Sequence, residues 1–314
     1  MKVLLLLLIA LPQQFGTISF PNSGKPEAQE PFLRGVLLLH NFAYPQAARA
    51  FEEAERADPN FALAYWGEAM TYNHPIWYEV DVDRGRDALR RAQKAGGRAQ
   101  EKAWIDAVAQ LYGEGDKATR DAAYEQAMAR LAAANPNDVE AQVFHALSIL
   151  GTVGRDEVDA RKRIRAAALL EPVFAAHPDH PGALHYLIHA YDDPLHAPLG
   201  LRAAQRYAGV ASGAPHALHM PSHIFVQLGM WPEAVKANEA AYALSQEWVA
   251  RERAASDKRD LHSLSWLQYA YLQMHRAADA RRLLDEVPAK DGEGSRERHT
   301  RESMQARYAI ESGD

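Results

Sequence analysis

The segment 183–231 reads ALHYLIHAYDDPLHAPLGLRAAQRYAGVASGAPHALHMPSHIFVQLGMW. In it Leu184-His185 is followed four residues on by His189, and Leu218-His219 by His223. Both histidines of the first pair recur after 34 residues. A third copy, Leu261-His262, carries Trp266 where the second histidine would stand. A fixed period of this length marks a repeat array in which each unit is a pair of helices. Residues four apart lie on one helix face. The spacing therefore predicts that these side chains line one shared groove.

Outward from this stretch the chain reads as helix nearly throughout. Gly35, Leu38, Phe42, Ala47, Phe51 and Ala54 recur at intervals of three to five residues, a largely helical spacing. Asp58-Pro59-Asn60, Asn135-Pro136-Asn137 and His177-Pro178-Asp179 punctuate the runs, because proline and asparagine favour turns. No stretch alternates with period two for long enough to be a strand. The expected fold is all-α, an α-solenoid of antiparallel helix pairs.

Tyr44-Pro45-Gln46-Ala47, Phe51, Ala54 and Asp58-Pro59-Asn60 resemble the second helix of a tetratricopeptide repeat (TPR) with its closing proline. Ala64-Tyr65, Gly67, Ala69 and Tyr72 resemble the first helix of the next unit, and Met230-Trp231-Pro232-Glu233-Ala234 the turn of another. The stretches Asn73–Trp77, His185–Pro194 and His216–Phe225 resemble a group of secreted bacterial TPR proteins. The resemblance implies a superhelix whose first helices line the concave surface, where TPR proteins commonly hold their ligands. It implies peptide or protein partners and little chemistry.

Bulk composition narrows the classes. The chain has 314 residues, 47% hydrophobic and 24% charged, with a net charge of −6. Nothing in that balance favours nucleic acid or an anionic membrane. The absence of cysteine excludes thiolate catalysis, Cys-based zinc sites and disulfides. Met1-Lys2 followed by the apolar run Val3–Leu11 reads as a secretory signal, too short to span a bilayer. The expected organisation is a signal at 1–19, a disordered lead-in at 20–30 and the repeat array at 31–285. A mobile linker at 286–300 and an incomplete repeat or capping helix at 301–314 follow. The expected location is periplasmic or secreted.

Histidine is costly to bury without a partner, so recurrence in register is hard to explain as core filling. For His185, His189, His219 and His223 three explanations stand open. They bind a transition metal, with Zn, Cu, Fe and Ni all suited to imidazole. They donate hydrogen bonds to an anionic guest. Or they form a structural ladder. Asp192, Asp193 and His196 are candidate extra ligands or supports for the ligating rings. His262 and Trp266 are expected to contact a ligand rather than a metal. His40 and His74, with Trp66 and Met70, are expected at the other end of the same groove. His145 reads as core, and His177, His180, His275 and His299 carry no signal. Pro221, between His219 and His223, threatens their spacing, since an internal proline kinks a helix at about 3 kcal/mol or more. There is no phosphate-binding glycine loop, no His-Glu-x-x-His and no Gly-x-Ser-x-Gly, so hydrolase chemistry of those kinds is disfavoured. The expected function is binding of a peptide, protein or small molecule in a His-lined groove. A metal-dependent enzyme and a pure interaction scaffold are the alternatives.

Overall fold

The structure is a computed structural model that describes residues 14–154, 160–253, 259–287 and 296–313. The all-α solenoid expected from the sequence is the fold observed. The first four helix pairs are α1 (Pro26–His40) with α2 (Tyr44–Ala57), α3 (Ala62–Met70) with α4 (Val82–Ala95), α5 (Ala99–Ala109) with α6 (Lys117–Ala134), and α7 (Val139–Gly151) with α8 (Arg161–Ala176). Next come α9 (Pro181–Ala190) with α10 (Ala197–Val210), then α11 (Pro215–His219) and α12 (Pro221–Gln227), which pack on α13 (Trp231–Glu252). The last pair is α14 (Leu261–Gln273) with α15 (Ala277–Glu286), and α16 (Arg296–Ser312) packs against both. A two-residue ladder pairs Asn73 with Val80 and His74 with Glu79. No helix among the described residues is long and apolar enough to cross a membrane.

Local chemistry explains the boundaries. Asp81, Asp116, Asp138 and Asp260 each accept a backbone N–H at the start of α4, α6, α7 and α14, which satisfies donors that have no partner within the helix. Proline stands in the first turn of α1, α2, α9, α10, α11, α12 and α13, where its missing N–H is not needed. Gly67 of α3 lets the helix press on Phe51 of α2; a Cβ there would lie 2.2 Å from the Phe51 ring. Gly67→Ala is therefore expected to cost about 1–3 kcal/mol by overpacking, read as a lowered thermal midpoint.

The array closes on itself. α1 packs against α3 but also against α9 of the fifth unit. The concave face of the first four units is filled rather than open. Phe20, Trp66, Trp104 and Phe144 meet there with ring centroids 5.1–5.7 Å apart. The lead-in expected to be disordered supplies part of this plug. Phe20 is buried, Ser23 bonds through its N–H and its hydroxyl to Glu101 at 2.6 and 2.8 Å, and α1 begins at Pro26. Its burial of an aromatic ring outweighs the loop-like composition of its neighbours. The apolar run Val3–Leu11 lies outside the described residues. Within the segment assigned to a signal, Gln14 accepts the Gly213 N–H, Phe15 accepts from the Asn41 amide and Thr17 donates to Asp179. At the other end, residues 296–300 belong to α16 rather than to a linker, because Met304 and Glu297 of that helix are buried; residues 288–295 lie outside the described residues.

Candidate functional site

Beside the plug lies an open cavity walled by the later units together with the Phe42–Gln46 and Ile76–Glu79 turns of the first two. It measures about 1150 Å³, and its wall includes His189, Asp192, His216, His223 and His262. Two groups of three histidines converge there. His185, His189 and His216 form the first triad, and His219, His223 and His262 the second. Within each triad the candidate ligand nitrogens lie within 4.8 Å of one another. The Nε2 atoms of His185 and His216, of His185 and His189, and of His219 and His223 are each 3.1 Å apart. Three nitrogens bonded tetrahedrally to one zinc-sized ion would stand about 3.3 Å apart, given bonds of about 2.0–2.1 Å.

The helices explain the convergence. His185 and His189 sit one turn apart on α9. The proline expected to disturb the second pair does break the helix: α11 ends at His219 and α12 begins at Pro221. The break leaves the His219–His223 pair together. It also presents His216 and His219 of one short helix to different triads. The triads touch: the rings of His189 and His223 lie 6.1 Å apart and those of His216 and His219 6.2 Å, against 6.4 Å between His189 and His216 within the first triad.

The far nitrogen of several rings is fixed by a partner. His185 Nδ1–H donates to the His40 carbonyl at 2.7 Å. His219 Nδ1–H donates to Asn238 Oδ1 at 2.6 Å, and that amide is oriented by its own N–H to Ala234 O. The Ser222 hydroxyl is more distant, at 3.4 Å. His223 Nδ1–H donates to Asp192 Oδ2 at 2.7 Å. As a neutral tautomer with this hydrogen bond, each ring turns a bare Nε2 lone pair inward. His219 and His223 face each other Nε2 to Nε2 at 3.1 Å; with both rings neutral that contact is repulsive, and a cation between them relieves it.

Burial opposes a proton on the His219 side of that contact and on the first triad. Burial, reinforced by His223 and His262, pushes His219 down to about 3. Burial followed by the His216 charge lowers His185 well below the usual imidazole value, burial and His185 do the same for His189, and burial and His219 for His216. Burial alone would raise Asp192, but the facing His223 ring holds it down to about 2, so the group behind His223 is a carboxylate.

Aromatic rings enclose the triads. Phe42 stacks near His189 and His216 and stands edge-on to His185 at 4.3 Å. It adopts φ 54°, a left-handed conformation that costs a bulky residue roughly 1–3 kcal/mol and concentrates at functional sites. Trp266 lies 4.5 Å from the His223 ring, and Trp77 5.6 Å from His216.

The remaining expected site residues fall elsewhere. His262, expected to touch a ligand, joins the second triad and is exposed to the cavity. Trp66 and Met70, expected in the groove, are core residues at 0% and 4% exposure; the plug occupies the concave face they point to. His40 is wholly buried and does not reach the cavity. Its Nε2–H donates to Glu140 at 2.8 Å and its Nδ1 accepts from the Tyr186 hydroxyl at 2.9 Å. His180, at a turn without any signal in the sequence, caps α9 by accepting the Ala183 N–H and donates to the other Glu140 oxygen at 3.1 Å. His74 is stacked on Tyr44 at 3.9 Å and bonded to Glu79 at the cavity lip. Asp193 and His196 bond to each other, apart from the triads. His216 is the member that repeat spacing misses: it falls outside the 34-residue register, and only its crowding with His219 and His223 in one eight-residue stretch could have pointed to it.

No family model matches the chain, and no curated protein does. Among solved structures it is similar to PilW, a widely conserved type IV pilus biogenesis factor, at 18% identity over 78% of this chain and 99% of that one, with a TM-score of 0.38. It is similar to an assembly chaperone of RpL4 at 13% identity over 91% and 98%, with a TM-score of 0.34. It is similar to the TPR domain of P58(IPK) at 11% identity over 91% and 89%, with a TM-score of 0.25.

Proposed function

We propose that this protein binds two transition-metal ions, one in each histidine triad, at the floor of a cavity that also receives a guest molecule. The observation that carries this reading is the His219–His223 contact. Both Nδ1 atoms face acceptors, so the two Nε2 atoms meet at 3.1 Å, a spacing that suits a shared cation when neither Nε2 carries a proton. The ring supports are of the kind metal sites use, a carbonyl, an amide oxygen and a carboxylate behind the ligating imidazoles. The cavity is larger than two ions need, which supports a peptide or small-molecule guest resting over them. The apolar run near the N-terminus and the lack of cysteine support an extracytoplasmic setting.

The test is the metal content of protein purified without a His-tag. Two ions per chain are expected, falling to about one in His189→Ala and to about one in His223→Ala. Metal-free wild-type protein that also refuses Zn, Cu, Fe and Ni on titration would end the reading. A second measurement isolates the supporting carboxylate. Asp192→Ala removes the acceptor behind His223 without removing a ligand, and is expected to weaken one of the two ions about 10–100-fold.

A further inference from the structure

We propose that the two ions are copper and that the paired triads bind dioxygen between them; this rests on the two-ion reading above. The first observation is the composition of the site. All six candidate ligands are imidazoles, with no carboxylate among them. The two carboxylates nearest the second triad are already engaged. Asp192 accepts from His223 Nδ1, and Asp260 caps α14 and accepts both the N–H and the hydroxyl of Ser263.

Six neutral ligands do nothing to offset metal charge. Two divalent ions would bring four positive charges into a space where the triads touch, and two Cu(I) ions only two. Because repulsion scales with the product of the charges, it falls to about a quarter. Imidazole suits copper, and Cu(I) accepts three nitrogen ligands while leaving a position open. A hard ion such as Mg or Mn would seek oxygen ligands that the triads do not offer.

The second observation is the interlock. α11 gives His216 to one triad and His219 to the other. The nearest rings of different triads, 6.1 and 6.2 Å apart, are no farther than the widest pair within each triad, although the other pairs within a triad are at 4.7–5.0 Å. Ions seated in both would have open positions on a common space. His189, His216, His223 and His262 reach the cavity, so that space has an entry. A small diatomic molecule fits there, beside the Phe42 and Trp266 rings.

The step is balanced by the metals alone. Each Cu(I) gives one electron and becomes Cu(II). Dioxygen takes both electrons and becomes peroxide, its oxygen–oxygen bond falling from double to single while each copper gains a bond to oxygen. No proton and no outside reductant enters this step.

The experiment uses the full chain, stripped of metal and loaded with Cu(I) under argon. Bound copper is counted, and then oxygen uptake and near-ultraviolet absorption are followed on admitting air. Two coppers per chain and one dioxygen per two coppers are expected, with a new charge-transfer band. His262→Ala, altering an exposed residue, is expected to keep the thermal midpoint, hold one copper tightly and lose uptake at least tenfold; His189→Gln tests the other triad in the same way. Two coppers with no uptake, or undiminished uptake in either variant, overturns the dioxygen proposal and leaves the two-ion reading standing. Two zinc ions bound with copper refused overturns the copper assignment and the dioxygen step with it, and leaves the two-ion reading standing. No metal of any kind bound overturns both.

Discussion

Glu140→Ala is expected to lower stability by about 3–5 kcal/mol, seen as a large fall in the urea midpoint of the metal-free protein. Glu140 is 1% exposed. Burial alone would raise its pKa, but the facing His180 and His40 rings hold it down to about 2. Burial also lowers His40 in spite of Glu140. A carboxylate and an imidazole that are both held low do not make an ion pair. The charge resides on Glu140, and the two rings serve it as neutral N–H donors. His180 is fixed in that form because its Nδ1 accepts the Ala183 N–H, and His40 because its Nδ1 faces the Tyr186 hydroxyl. Alanine would leave both donors buried without an acceptor, which costs more than the bonds themselves are worth. Glu140→Gln should recover part of the loss, since its amide oxygen can accept one N–H while its NH₂ opposes the other. An unchanged urea midpoint in the alanine variant would show that the carboxylate does not hold this junction.

The same variant should reach the cavity. His40 offers its carbonyl to His185 Nδ1–H, and His180 caps the helix that carries His185 and His189. Glu140 on α7 thus ties the first unit to the fifth and orients the first triad. Gly182 makes the junction tight: a Cβ there would lie 2.4 Å from His40 Nδ1. Loss of metal affinity in Glu140→Ala, with ligands intact, is the expected companion of the stability loss.

What the sequence made legible follows from what repeats. Helix pairs leave local marks, such as Asp58-Pro59-Asn60 at the end of α2 and Gly67 against Phe51, and these need only a few neighbours to be read. The 34-residue spacing likewise brought out His185, His189, His219 and His223. What does not repeat stayed hidden. Phe20 belongs to a stretch that looks like a loop and gains its place only from Trp66 and Trp104, far along the chain. The closure of α1 on α9 turned an expected open groove into an aromatic plug, and moved His40, Trp66 and Met70 out of reach of any guest. His216 sits off the register, and His180 sits at a turn, so each needed the tertiary arrangement to acquire a partner. Pro221 shows the reverse case: local reasoning foresaw a broken helix but not that the break would sort His216 and His219 into different triads.

Metal-free protein is expected to unfold on acidification between about pH 7 and 5, and metal-loaded protein at a distinctly lower pH. Four imidazoles, those of the buried His185 and His219 and of the half-buried His189 and His216, are held below their ordinary value, first by burial and then by neighbouring rings. Above the unfolded value of about 6.5 each ring is neutral in both states and contributes no pH dependence. Below it the unfolded chain takes up a proton that the folded chain refuses, so stability falls as pH falls, until the folded values are reached. Each ring contributes about 1.4 kcal/mol by pH 5.5. Four rings together cost roughly 5–6 kcal/mol, against a total stability of about 5–15 kcal/mol for a typical domain. Ions that bind the folded state alone add stability by mass action, and protons must displace them before the rings can charge. Circular dichroism against pH, with and without metal, reads both limbs. Coincident acid transitions with and without metal would mean that the triads hold nothing a proton competes for, and a metal-free protein stable to pH 4 would mean that these rings are not buried in neutral form.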